Sequence, residues 1–158
     1  MKISNRVVAL ISVILLGLGL QFAATSARAQ TQTLDELFLE LKASGADDWE
    51  PIEKKIWAEW SKSGSKAMDL LLERGKAEVK AGNLTDAIGH FSALIDHAPE
   101  FAEGWNARAT AFYLAERYGL SIVDIRQTLL LEPRHFGALS GLAIILEKLD
   151  RPKDALKA

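Results

Sequence analysis

Charged residues that recur at a fixed spacing are the first candidates for a binding or catalytic site. Arg74 and Arg108 are related by a 34-residue offset, and a 16-residue offset leads from them to His90 and Asp124. Because the second offset places each pair on two facing helices of one hairpin, we expect an Arg108–Asp124 ion pair and a polar contact from Arg74 to His90. Arginine also pairs with the carboxylates of ligands, so the alternative is that both arginines bind an acidic ligand.

Metal binding and catalysis find no support in the residue pattern. His90 and His97 lie two turns apart on one predicted helix, but neither a carboxylate nor His135 completes a tetrahedral set of ligands. The chain contains no cysteine, so it has neither a disulfide nor a thiolate site. It also lacks a nucleophile elbow, a phosphate-binding loop and a zinc-binding helix motif. We therefore predict no metal, no cofactor and no enzymatic activity.

Four tryptophans suggest a second kind of chemistry, the stacking of sugar rings. Trp57 and Trp60, however, continue the helical spacing of Ile52 and Ile56. This spacing favours packing in a core. Trp49 is the exception, because it begins its helix.

The elements that position these residues are predicted to be helices, since no stretch alternates between apolar and polar residues as a strand would. Thr33 and Glu36 fit a capping box at the start of the first helix. Gly45 ends that helix, and Asp47 or Asp48 is expected to cap the next one. Further helices are predicted at 67–81, 84–97, 102–117, 120–131 and 137–149.

One pattern recurs with a 34-residue offset along the second half of the chain. It relates small residues at two positions and larger residues at a third: Gly75, Ala109 and Ala143; Ala87, Ser121 and Ala155; Leu71, Trp105 and Leu139. A period of this size is typical of stacked helical hairpins, each too small to bury its apolar face alone. We expect the small residues to lie where two helices cross closely.

These units resemble tetratricopeptide repeats. The residues that carry the resemblance are Gly75, Ala87, Phe91 and Pro99 in a unit at 68–101; Trp105, Ala109, Phe112, Tyr118 and Pro133 in a unit at 102–135; and Leu139, Leu142, Ala143, Leu146 and Ala155 in a partial unit at 136–158. The resemblance implies an all-α, right-handed superhelical solenoid of antiparallel helix pairs.

Residues 30–67 form a hairpin that we interpret as a degenerate repeat. Trp57 corresponds to Phe91 at the same 34-residue offset, but Glu53 stands where the repeat has Ala87. We expect this hairpin to cover the first full repeat as a cap, since capping units are atypical.

The resemblance also implies that a protein or peptide partner binds the concave face, which the first helix of each unit lines. By helical phase the candidate residues are Leu72, Lys76, Val79, Lys80, Asn106, Thr110, Tyr113 and Ser140. The clamp that holds a terminal carboxylate in some relatives is not expected, because Leu72 and Ala107 are among the residues at its positions. The alternative is that the candidates form a merely solvated face.

Residues 1–29 have the pattern of a cleavable export signal. Lys2 and Arg6 precede an apolar run, and Ala27-Arg28-Ala29 places small residues before a predicted cleavage after Ala29. Cleavage leaves 16 basic and 21 acidic residues, a formal charge of −5. This charge disfavours nucleic acid as a partner. We predict a periplasmic protein with no membrane span in its mature part.

The last unit has a full first helix but only a short second one, which leaves an apolar stripe unpaired. The alternatives are a truncated chain, a partner or second copy that covers the stripe, or coverage by residues 153–157. We therefore predict a non-enzymatic periplasmic scaffold that binds peptides or helices on its concave face. The alternative is a chaperone or accessory subunit that packs, or forms a homodimer, through its C-terminal end.

Overall fold

The computed structural model describes residues 32–45 and 48–151, which form seven α-helices and no strand. The helices are α1 Leu34–Ala43, α2 Trp49–Trp60, α3 Lys66–Ala81, α4 Leu84–His97, α5 Ala102–Leu114, α6 Tyr118–Leu131 and α7 Phe136–Lys148. The predicted all-α fold is confirmed. None of these described helices has the length and apolar character that a bilayer crossing requires. The expected export signal and Ala155 lie outside the described residues.

Helices α3 to α7 form a solenoid in which each helix packs against the next. The first helices of successive units, α3, α5 and α7, also contact one another and so line one common face. Leu72, Phe91, Leu94, Ala107 and Ala111 belong to the core between α3, α4 and α5. The core is continuous because no hairpin buries its apolar face without its neighbour.

Small residues do allow close helix crossings, as the repeat pattern predicted. A Cβ atom added to Gly75 would lie within 2.7 Å of three atoms of the Phe91 ring. Ala87 and Ala109 are buried. Ser121 is buried as well, and its hydroxyl donates to the Ala109 carbonyl at 2.8 Å. The hydroxyl therefore satisfies its own hydrogen bond at a position where the other units carry alanine.

The other motif residues fix the helix junctions. The Trp105 indole N–H donates to the Pro99 carbonyl at 2.8 Å. Phe112 is buried, Ala143 is half-buried, and Pro99 and Pro133 are exposed beyond the helix ends. Both prolines come just after the ends of α4 and α6, where a missing N–H breaks no helical hydrogen bond.

The ends of α3, α5 and α7 share one backbone geometry. The residues in the left-handed conformation just after α3, α5 and α7 are Gly82 at φ 80°, Glu116 at φ 58° and Asp150 at φ 55°. The next N–H along the chain then donates back into the helix, as Arg117 does to the Phe112 carbonyl at 2.8 Å. Helix α5 therefore ends at Leu114, and the prediction that it reaches Arg117 was wrong. The sequence offered no glycine there to signal the end.

The N-terminal hairpin, α1 with α2, has a core of Leu37, Ile52, Ile56 and Trp60, and Phe136 of α7 packs against this core. The predicted capping box is confirmed: the Glu36 N–H donates to Thr33 Oγ1 at 3.3 Å, and the Thr33 N–H donates to Glu36 Oε2 at 2.8 Å. Asp48 precedes α2, but its side chain makes no capping hydrogen bond. Asp47 is outside the described residues.

Candidate protein-binding groove

The groove is the face that α3, α5 and α7 share, and most of the predicted partner residues line it. Thr110, Ser140 and Lys80 are exposed, while Val79 and Tyr113 are half-buried. Leu72 was predicted to belong to this surface, which is wrong. It is wholly buried, because its side chain points into the core beside Phe91. For the remaining residues, the assignment to a partner surface stays a prediction.

One end of the groove is covered by the N-terminal hairpin. The Trp60 ring stacks on the His135 imidazole with the ring centres 4.1 Å apart and the planes 8° apart. Trp57 meets Phe136 edge to face at 5.3 Å. A Cβ atom added to Gly137 would lie 2.6 Å from the tip of the Trp57 ring. The glycine at the start of α7 therefore makes room for Trp57.

The expected cap over the first repeat stays a prediction: the hairpin reaches that repeat through the hydrogen bond from Lys76 to Ser61, but its ring contacts extend further. Its aromatic residues contact the start of α7, almost a whole solenoid away from α3 along the chain. The physical reason lies in two side chains. At the repeat offset, Leu41 and Glu53 correspond to Gly75 and Ala87, so large residues replace the small ones that allow close crossing.

A buried polar cluster lies beneath the two tryptophans. Glu103 is 3% exposed and its carboxylate receives three partners. Asn106 Nδ2 donates to Oε2 at 2.9 Å, Lys76 Nζ lies 3.3 Å from Oε1, and His135 Nε2 lies 3.3 Å from Oε2. Buried carboxylates persist where such partners compensate the loss of water. The cluster therefore fixes the floor of the groove.

The hydrogen bonds of His135 assign its tautomer. The Ala138 N–H donates to Nδ1 at 3.2 Å, so Nδ1 carries no proton. The proton is on Nε2, which donates to Glu103. Lys76 is engaged in the same cluster and also donates to Ser61 Oγ at 3.3 Å. Lys76 was predicted as a partner contact, and in this structure its ammonium group is held within the protein.

A second contact holds the outer edge of the hairpin. Arg134 Nη1 lies 2.7 Å from Asp35 Oδ1, and the guanidinium lies 4.3 Å from the centre of the Phe38 ring. Hydrogen bonds to Glu132, and secondarily to Asp35, raise the pKa of Arg134 above its ordinary value. Both Arg134 and Asp35 are exposed, so water screens this ion pair strongly.

Part of the groove stays open beside the hairpin. A cavity of about 210 Å³ lies there between α5 and α7, and Gly137 is among the residues that line it. Ala109, Ile144 and Ile145 form its apolar walls, and its polar groups belong to Asn106, Thr110, Tyr113 and Ser140. A second opening of about 320 Å³ lies beside Trp57 and is bordered by Val79, Lys80 and Thr110.

The predicted Arg108–Asp124 ion pair is confirmed. Arg108 Nε and Nη2 donate to the two oxygens of Asp124 at 2.7 and 3.0 Å, and Nη1 donates to Ser92 Oγ at 3.0 Å. All three nitrogens of this guanidinium are thus used within the solenoid. The predicted contact between Arg74 and His90 was wrong: Arg74 is exposed, and no hydrogen bond or ion pair joins the two in the described part of the chain.

Sequence reasoning missed Glu103, His135 and Gly137 as parts of one site, although a signal existed. Asp69 and Glu103 are acids at equivalent repeat positions, and Gly137 takes that position in the next unit. Asp69 receives hydrogen bonds from Ser63, which lower its pKa. The change from an acid to glycine at Gly137 marks the unit that receives Trp57. Residues 32–45 and 48–151 contain no group of three acidic or histidine side chains that could hold a metal ion.

Comparison with known proteins agrees with the architecture. The tetratricopeptide repeat family model matches residues 72–125. A TPR repeat-containing protein of Rhizobium etli is 38% identical over 128 residues, which cover 80% of this chain and 63% of the relative. The chain therefore spans less than two thirds of the length of that relative. With the 34-residue period, the solenoid and both similarities, the chain belongs to the tetratricopeptide repeat family.

Proposed function

We propose that this protein is a non-enzymatic scaffold of the periplasm that binds a peptide or helical segment of another protein in its groove. The cavity between α5 and α7 is the observation that carries the proposal. Its walls are apolar, and amide and hydroxyl groups from Asn106, Thr110, Tyr113 and Ser140 border it. Such a pocket suits one apolar side chain of a segment whose backbone needs hydrogen-bond partners.

A protein partner fits this groove better than a nucleic acid does. Family membership supports interaction with proteins. The groove contains lysines, but Lys76 is paired with Glu103, and the predicted mature charge is negative. Phosphate recognition relies on clustered positive charge.

The periplasmic part of the proposal rests on residues 1–29. A positive start, an apolar run and small residues at Ala27 and Ala29 are typical of export signals that are removed. Mass spectrometry of the protein from its native cell envelope tests this part. A mature N-terminus at Gln30 is the expected result, and an intact Met1 in cytoplasmic fractions would contradict it.

A matched pair of substitutions tests the groove. Thr110→Arg places a long charged side chain at the cavity, whereas Thr85→Arg places the same side chain on the exposed start of α4. We expect Thr110→Arg to lose a partner that wild type and Thr85→Arg both retain, as measured by affinity capture from solubilised envelopes and quantitative mass spectrometry. Equal capture by all three proteins would remove the groove as the binding surface.

A second candidate function is packing through the C-terminal end, as in a chaperone, an accessory subunit or a homodimer. Exposed apolar residues outside the groove favour it: Val123 and Leu130 on α6, with Leu149 just after α7, are between 44 and 77% exposed. Leu146 is only 8% exposed, so its substitution would disturb the core. Leu130→Lys is the better test. If this candidate is right, Leu130→Lys abolishes either capture of the partner or the dimerisation that sedimentation measures. Thr110→Arg leaves both unchanged.

A further inference from the structure

The N-terminal hairpin is attached to the solenoid mainly through side chains. Within the described residues, no backbone hydrogen bond joins α1 or α2 to α3–α7. The contacts include the rings of Trp57 and Trp60 against residues 135–137, the exposed Arg134 against Asp35 and the Phe38 ring, and one hydrogen bond from Lys76 to Ser61. The buried core residues of the hairpin all belong to α1 and α2, and Phe136 of α7 packs against them. It is therefore built as a separate body that contacts the groove through few groups.

The segment between the hairpin and the solenoid allows that body to move. Residues 61–65 are small or polar, and Gly64 adopts a φ of +82° with no atom within 4 Å of a Cβ added there. This conformation costs glycine little. Ser61 and Lys62 donate to carbonyls at the end of α2, whereas Ser63 donates to Asp69 at the start of α3. The hairpin can therefore leave without disturbing the start of the solenoid.

The docked state contains an unsatisfied polar group. Trp60 is buried, and its indole N–H has no hydrogen-bond partner. Trp57 differs, because its indole N–H donates to Glu53 within the same helix at 3.2 Å. A buried donor without an acceptor costs free energy, and water satisfies the Trp60 donor when the hairpin leaves. An aromatic residue with no donor, or with an acceptor beside its donor, would bind the same position more favourably than Trp60.

We propose that the surface formed by Lys76, His135, Phe136 and Gly137 is a receptor for two aromatic residues one helical turn apart, and that α2 is its exchangeable resident. The partner is a helix of another protein with aromatic residues at positions i and i+3, the spacing of Trp57 and Trp60. One aromatic ring stacks on the flat face of His135, and the other enters the space that Gly137 leaves. Departure of the hairpin opens the groove along its whole length.

The close fit of the Trp57 ring against Gly137 determines which side chains this surface accepts. A glycine is required there because a methyl group would lie 2.6 Å from the tryptophan ring. The neighbouring Gly141 is different, since a Cβ added to it would lie 3.5 Å from Ile125, an ordinary contact distance. Gly141→Ala is thus a matched control for Gly137→Ala on the same helix.

Hydrogen exchange on the full mature chain tests whether the hairpin is exchangeable. Gly137→Ala is expected to increase exchange of the α2 amides at least tenfold while the α4 and α5 amides keep their protection. Gly141→Ala is expected to leave both unchanged. Unchanged exchange in Gly137→Ala, or a loss of protection throughout the solenoid, would overturn the inference.

A labelled peptide of residues 48–61 tests the receptor directly. The acceptor is the full mature chain with Trp57→Ala and Trp60→Ala, which empties the surface. We expect this variant to bind the peptide at least ten times more tightly than wild type by fluorescence anisotropy, and Gly137→Ala added to it to abolish binding. A control peptide with both tryptophans replaced by alanine should not bind. Equal binding to both chains, binding of the control peptide, or no binding would overturn the inference.

The inference rests on the proposed groove function but fails separately from it. If Thr110→Arg loses its partner and the peptide does not bind, the groove function stands and the aromatic receptor falls. Sedimentation of the wild-type protein tests whether a second copy of this chain is the partner. A dimer that dissociates in Trp57→Ala/Trp60→Ala would show that the resident exchanges with a second copy of this chain, which would also overturn the partner named here.

Discussion

The solenoid and the N-terminal hairpin contain similar apolar patterns but pack in different ways. Trp57 and Trp60 occupy the repeat positions of Phe91 and Leu94. In the solenoid those residues are buried between neighbouring helices, whereas the tryptophans lie against the start of α7. The hairpin lacks the small residues at the crossing positions. The comparison teaches that apolar spacing specifies a helical hairpin, while the small residues decide whether the hairpin stacks as a repeat.

We expect the largest loss of stability when an aromatic ring is removed from the core of the solenoid. Phe91 is 1% exposed and packs against Gly75. Phe91→Ala should lower the free energy of unfolding by about 3–5 kcal/mol, a large part of the stability of a typical domain. Urea denaturation followed by circular dichroism measures this. Trp57→Ala, at the equivalent position of the hairpin, is the control and should leave the main unfolding transition of the solenoid in place.

Ion pairs provide the next contrast between the two regions. The Asp124 carboxylate is 4% exposed, so Arg108→Ala leaves a buried charge and should cost about 3–5 kcal/mol. Asp35→Ala breaks the exposed pair with Arg134 and should cost less than about 1 kcal/mol. Thermal melts of both variants test the difference. Similar melting temperatures would mean that the buried pair contributes no more than the exposed one.

Two glycines in opposite environments test whether the close crossing of two helices requires a small residue. Gly75→Ala forces a methyl group into the Phe91 ring and should destabilise the fold by about 1–3 kcal/mol. Gly89→Ala lies in α4 with no atom within 4 Å of the added methyl, and it should stabilise by about 0.4–1 kcal/mol. Opposite signs in the same denaturation experiment would support the role of small residues. Stabilisation by both substitutions would contradict it.

The smallest expected effect concerns the helix ends that repeat through the solenoid. Glu116 adopts the left-handed conformation that Gly82 adopts one repeat earlier. Glu116→Gly removes a strained Cβ and should stabilise the fold by up to about 1 kcal/mol, part of which the greater freedom of the unfolded chain offsets. Gly82→Ala should have the opposite sign. A destabilising Glu116→Gly would show that the side chain contributes more than the strain costs.

Most periodic features of the fold were predictable, whereas the docking of the hairpin was not. The 34-residue offsets predicted the stacked hairpins, and the 16-residue offset predicted the Arg108–Asp124 pair, because a repeated backbone gives equal spacings equal geometry. The same reasoning failed for Arg74 and His90, whose side chains do not meet. Leu72 was placed in the groove because helical phase does not distinguish a core residue from its neighbour at the edge of a face.

The covered end of the groove could not be predicted for a different reason. Trp60, His135 and Glu103 belong to three separate parts of the chain, and their contact depends on how the hairpin docks. Docking follows from ring shape and from the space at Gly137, neither of which has a period. The capping box at Thr33 was predictable because all of its atoms lie within a single helical turn.

Gly137 has a consequence for how an array of equivalent units acquires selectivity. The two earlier units carry acids at this position, and all three share the same backbone path. The absence of a side chain in one unit therefore makes room for an aromatic ring from outside the solenoid. The stack of units is still continuous. A scaffold of this kind can change which side chain it binds through a substitution in one unit, while the other units maintain its curvature and stability.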